Sequence, residues 1–164
     1  MIANNPLSIV KLLLKAKRPS RLTDMPATKE AFWLRKGYDA LTFFGTVLTH
    51  TQAEADRLNS CYDTLKNHEM IHLRQARSTH DSWLCFYMLY AWYYLRALPY
   101  NRQFKNAAYK LNPFEMEAYE HMNDLDYPKR NAEGANGWRR YAKMSIKERR
   151  KKTAEFFGSV SRNS

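Results

Sequence analysis

Apolar residues recur at helical spacing through most of this chain. Between positions 65 and 76 the series i, i+3, i+4, i+7, i+8, i+11 reads Leu65, His68, Glu69, His72, Leu73 and Ala76, the stripe that a helix turns toward a core. Half of that stripe is polar, and solvated side chains explain such positions poorly. The spacing predicts a helix over 61–77. Thr51 followed by Glu54 opens an earlier helix through a capping box, and Ser60 followed by Asp63 marks a restart just before the stripe. Ser78-Thr79-His80-Asp81 ends the helix and caps another over 82–98, which is apolar on nearly all sides through Trp83, Phe86, Tyr87, Leu89, Tyr90, Trp92, Tyr93 and Tyr94. A helix of that kind lies at the centre of a core or is pressed against an apolar surface.

Pro99 closes the aromatic helix, and a polar connector leads to Asn112, an N-cap, with Pro113 at the first position of a helix predicted to reach about residue 124. Its apolar stripe is Phe114, Ala118, Met122 and Leu125; Glu115 and Tyr119 flank the stripe, while Glu117, Glu120 and Asp124 fall on the far side, where a solvated charge is the default. Tyr127-Pro128 ends it. Gly134 and Gly137 precede a last basic helix opened by Ser145 with Glu148. Upstream, the run 38–48 is rich in aromatic and β-branched residues and is the best strand of the chain, with Gly45 as a bulge or bend. Residues 6–17 form a short amphipathic piece, followed by a Pro-interrupted linker around 18–20 and 25–27 where weak order is expected. There is no internal repeat.

At 164 residues the chain is long enough for one domain with a core that needs no disulfide. The divisions read as an N-terminal extension over 1–30, a folded domain over 31–128 and a basic tail over 129–164. Of the net charge of +11, +8 lies between Lys129 and Lys152, so the core is nearly balanced and the tail is basic. The two cysteines, Cys61 and Cys85, form no C-x-x-C pair and fit free thiols in a reducing compartment. No export signal is legible, and the longest uncharged apolar run, 83–95, is shorter than the roughly 20 residues that span a bilayer. A cytoplasmic protein, in peripheral contact with a membrane at most, is expected.

The chemistry centres on His68-Glu69-Met70-Ile71-His72. Four residues advance a helix by about one turn, so His68 and His72 share a face and can share one cation, while Glu69 can reach a water on it. That is the H-E-x-x-H pattern of zinc peptidases. The plainer alternative is a pair of hydrogen-bonded core histidines. A catalytic zinc needs a third protein ligand and a position left for water. The extended motif with Gly and His at positions 75 and 78 is excluded, because the chain has Gln75 and Ser78. A carboxylate from the Asn112 helix remains. Glu115 has a competing role, since Asn112-x-x-Glu115 is itself a capping box. His80 and His121 lie at no spacing that the site would use, and Tyr100, Tyr109 and Tyr119 read first as packing residues.

On these residues the chain resembles the gluzincins, zinc peptidases in which H-E-x-x-H is completed by a Glu on a later helix. Glu115-Met116-Glu117-Ala118-Tyr119 resembles the E-x-x-A-D element of the members typified by CAAX prenyl proteases, with Tyr119 standing where they have Asp. The order H-E-x-x-H-x-x-Q, aromatic helix, N-P-F-E-x-E-A is similar to a group of small bacterial zincin-like proteins, over roughly residues 38–125. The resemblance implies a mostly helical α+β, zincin-like fold: the H-E-x-x-H helix packed on the aromatic helix and on a second ligand-bearing helix, with a small β element before them. It implies one Zn2+ held by His68, His72 and Glu115, with Glu69 as the base that takes the water's proton, and a peptide or protein substrate. Tyr119 becomes the candidate for supporting a ligand or an oxyanion. A second class of reading is a non-catalytic zinc-containing binding module whose basic tail (Arg139, Arg140, Lys143, Arg149, Arg150) meets anionic membrane or, less favoured, nucleic acid. Oligomeric state is not legible.

Overall fold

The computed structural model describes residues 18–22, 29–31 and 40–160, with the backbone alone at 157–160. The predicted piece over 6–17 and the linker at 25–27 lie outside the described residues. In chain order the elements are β1 (Lys29–Glu30), β2 (Leu41–Phe43), β3 (Thr46–Thr49), α1 (Gln52–Ser60), α2 (Thr64–Ser78), α3 (Trp83–Ala97), α4 (Ala107–Lys110), α5 (Pro113–His121), α6 (Tyr127–Arg130), α7 (Trp138–Lys143) and α8 (Ile146–Val160). The class is α+β and mostly α, as the periodicity implies.

The run expected as one strand is a hairpin. β2 and β3 pair antiparallel with Thr42 opposite Val47, and β1 joins β3 in parallel, so the order is β1-β3-β2. Phe44 and Gly45 form the two-residue turn with φ of 46° and 80°, the positive pair that matches strand twist in a tight hairpin. Phe44 is an uncommon residue at such an angle. It is held there by the Tyr87 hydroxyl, which accepts from Phe44 N at 3.1 Å and donates to the Thr42 carbonyl at 2.7 Å.

α2 starts three residues later than expected, because Asp63 rather than Ser60 caps it: the Asp63 carboxylate accepts from Lys66 N. Every residue from 67 to 76 is buried, so α2 is sheathed on all sides and its polar side chains are bound internally. Asn67 Nδ2 donates to the carbonyls of His121, Met122 and Asp124, capping the end of α5. Arg74 reaches the carbonyls of Pro128 and Leu22. The apolar core lies beside α2: Met70, Leu73 and Ala76 meet Trp83 and Phe86 of α3, Phe114 of α5 and Trp138 of α7.

Two peripheral segments are more integrated than their composition suggests. The linker at 18–20 forms a 3-10 turn over Pro19–Arg21, with Ser20 N donating to Asp81 at 2.6 Å. The basic segment beyond 129 packs on α5. Trp138 and Tyr141 are buried, and the guanidinium of Arg149, 2 % exposed, donates to the carbonyls of Tyr141, Leu111 and Ala142. Arg149 therefore belongs to the interior and not to a basic surface. Arg139, Arg140, Lys143 and Arg150 are exposed.

Candidate metal centre

The helices bring His68, His72 and Glu115 together. One turn of α2 separates the imidazoles, whose rings meet edge to face with Nε2 atoms 3.1 Å apart. α5 delivers Glu115 from its first turn, where Asn112 caps the helix through Phe114 N and Pro113 occupies the first position. Oε2 of Glu115 lies 3.3 Å from His68 Nε2, and Oε1 lies 3.4 Å from His72 Nε2. All three residues are buried, and their ligand atoms fall within 4.8 Å of one another, a group that can hold a metal ion. The capping role open to Glu115 is not taken, since the Asn112 N–H bonds to the Tyr109 carbonyl instead.

The carboxylate of Glu115 is divided in its partners. Tyr90 donates to Oε1 at 2.7 Å, whereas Oε2 is the one buried side-chain polar atom, among the described residues, that lacks a hydrogen bond. Leaving such an atom unsatisfied costs about 1–3 kcal/mol, more for a charged group, and a cation removes that cost. His72 is oriented from behind by Gln75, whose Oε1 lies 2.7 Å from Nδ1. With the Nδ1 proton directed to Gln75, the neutral ring presents its Nε2 lone pair to the centre.

Electrostatics follow from burial and pairing. Desolvation works against a charged His72, but the Glu115 carboxylate, then Glu69 and Gln75, outweigh it and raise the imidazole to about 9. Burial likewise pushes Glu115 up, and the two imidazoles overcome this and hold its carboxyl well below the usual carboxylate range. In the metal-free protein the pair is an internal ion pair. A metal held there would replace the His72 proton.

Glu69 sits beside the triad with its Oε2 accepting from the Thr42 hydroxyl at 2.5 Å. The hairpin thus reaches across to the motif helix. Above the triad is a cavity of about 230 Å³, walled by Leu41 and Thr42 from the hairpin, Phe86, Tyr87 and Tyr90 from α3, and Tyr109. Burial, and then the Glu115 charge, hold the Tyr109 hydroxyl well above the usual phenol range, so it stays a neutral donor.

The candidates read from the sequence fall into place unevenly. Tyr119 packs its ring edge on His68, with centroids 4.7 Å apart, and its hydroxyl pairs with Tyr109 at 3.1 Å; Tyr109, not Tyr119, lines the cavity. His80 lies in a turn on another cavity, and His121 stacks on Tyr127, so both are away from the triad.

Glu117 is a correction. Expected on a solvated face, it is fully buried and accepts from Gln75 Nε2 at 2.7 Å, Tyr127 at 2.7 Å and Gly137 N at 2.6 Å. Its face of α5 is covered by α7 and the turn before it. The pathway Glu117, Gln75, His72 runs from that buried carboxylate to the metal group. Gln75 carries a sequence signal, three residues after His72 on the same side of the helix. Thr42 carries none. Tyr87 and Tyr90 are hidden in the uniform aromatic run of α3.

No protein-family model, curated protein or solved structure matches the chain.

Proposed function

We propose that the chain is a zinc-dependent peptidase of zincin-like type that hydrolyses a peptide bond in the cavity over His68, His72 and Glu115. The observation that carries this reading is the convergence of two Nε2 donors and an orphaned carboxylate oxygen beside the anchored carboxylate of Glu69. Nitrogen ligands at about 2.0–2.1 Å from a tetrahedral zinc lie about 3.3 Å apart. The Nε2 separation of 3.1 Å is close to that edge. Two imidazoles and one carboxylate suit zinc better than calcium or magnesium, which favour oxygen.

Zinc, when bound, acidifies a water and polarises the carbonyl to be cleaved. The chain's residues supply the rest. Thr42 fixes one oxygen of Glu69, which lines the cavity, and this carboxylate would take the proton of the attacking water and return it to the leaving amine. Tyr90 holds Oε1 of Glu115, which would leave Oε2 for an ion, and Gln75 orients His72 so that its Nε2 could ligate as well. Tyr109, a neutral hydroxyl in the cavity wall that pairs with Tyr119, is our candidate to donate to a developing oxyanion. A binding module needs a carboxylate at position 69 for none of its work.

Glu69→Gln tests this. The variant keeps its zinc and loses peptide hydrolysis by about 100-fold or more, since the amide accepts no proton from water. Hydrolysis retained within a few-fold overturns the assignment.

A further inference from the structure

α3 is apolar on two faces, and the fold covers one of them. Trp83, Phe86 and Ala97 are buried in the core, while Leu84, Met88, Trp92 and Leu95 are 64 %, 65 %, 57 % and 61 % exposed. These four recur at i, i+4, i+8 and i+11, a single outward stripe, and Leu98, 42 % exposed, prolongs it. From Leu84 to Leu98 the stripe runs about 21 Å. A continuous exposed apolar patch of this kind marks an interaction surface. α3 has 15 residues, and no helix among the described residues is long and apolar enough to cross a membrane. The stripe is fitted to lie along a surface.

The segment that carries the stripe has one sign of charge. The segment 82–114 contains no Asp or Glu and four basic residues, Arg96, Arg102, Lys105 and Lys110. The Arg96 guanidinium lies 5.8 Å from the Trp92 ring centroid on the stripe itself. At the end of α3, Phe104 packs on the cluster of Ala97 and carries Lys110 and Arg150 over its ring, at 5.4 Å and 5.9 Å. Arg96, Arg102, Lys105 and Arg150 are exposed. A second copy of this helix offers the basic rim no counter-charge, since 82–114 contains no Asp or Glu. An anionic bilayer instead receives the leucines and the methionine below its headgroups, holds Trp92 at the interface and pairs with the basic rim.

We infer that the outward stripe of α3, with its basic rim, docks flat on an anionic lipid bilayer. This rests on no property of the metal centre. Sedimentation of the full chain with vesicles tests it, comparing phosphatidylcholine alone with phosphatidylcholine mixed with phosphatidylglycerol. The chain partitions onto the mixed vesicles, weakly onto the neutral ones, and less as salt screens the charges. Met88→Glu with Leu95→Glu weakens that partition by more than tenfold, given the apolar burial lost at two side chains. Both positions are exposed, so the thermal transition is kept; should it not be, Leu84→Ser with Met88→Ser carries the same expectation. The inference is overturned by no partition onto mixed vesicles, by equal partition onto neutral ones, or by undiminished partition of the variant. A wild-type dimer in light scattering that the variant dissolves also overturns it, since a second copy is then the occupant.

Discussion

Two glutamates on one short helix do different work, and single substitutions separate them. Under the zinc reading Glu115 would give a charged oxygen to the ion, so Glu115→Gln is expected to lower zinc affinity by more than about 100-fold, beyond the usual loss of a mere supporting residue. Glu117 accepts three donors in a dry site, and an amide there turns its own N–H groups toward one of them. Glu117→Gln costs about 1–3 kcal/mol of stability. It weakens zinc only through Gln75, by about tenfold. Chelator competition beside thermal unfolding of both variants reads the two effects; a Glu115 variant with wild-type zinc affinity refutes the ligand assignment. The grouping of His68 with His72 was legible from helical spacing, and that of Glu115 from its place beside an apolar stripe together with the resemblance. Glu117 was not. Its burial depends on a turn twenty residues away, and a stripe shows which face is apolar without showing that the opposite face is covered as well.

The elements matter through where they carry single atoms. The starts of α1, α3 and α5 were readable because caps are local signals: Thr51 with Glu54, Ser82, Asn112 and Pro113 sit where these helices begin. The hairpin was merged into one strand because Phe44-Gly45 is a poor turn signal by composition, and the angle at Phe44 is imposed by Tyr87 from another element. The tail's charge is visible in sequence, whereas the burial of Trp138, Tyr141 and Arg149 is not, because they are scattered among cations. One consequence is testable at Gly137, between α6 and α7. A Cβ there meets Glu117 Oε1 at 2.6 Å. Gly137→Ala therefore displaces the carboxylate that holds Gln75, and lowers both the melting temperature and the zinc affinity although it lies outside the metal group. Unchanged values for both contradict the coupling of the Gly137 turn to the centre.

For the whole molecule, the buried pair makes stability depend on pH and on metal together. The His72 imidazole is raised from 6.5 to about 9 in the metal-free fold, so its contribution is complete below 6.5 and lost as the pH rises through 9. Glu115 is lowered from 4.5, so its contribution is present above 4.5 and lost as the pH falls below it. The metal-free protein is thus most favoured by this pair between about 4.5 and 6.5, and its melting temperature declines toward 9. Zinc competes with the His72 proton, so the rise in melting temperature on adding zinc grows over the same upper interval. Thermal scans with chelator and with zinc across that range check both slopes; a melting temperature flat from 6.5 to 9 in chelator, equal to that of His72→Ala, contradicts the pairing.

Under the proposed function, two imidazoles and one carboxylate, assembled from α2 and α5, form a single zinc centre. Elemental analysis of the purified full chain, beside His68→Ala and His72→Ala, measures it most directly. One zinc per wild-type chain and none in either variant is the result expected. Wild-type protein that takes up no zinc when it is supplied, or full occupancy in both variants, contradicts the account.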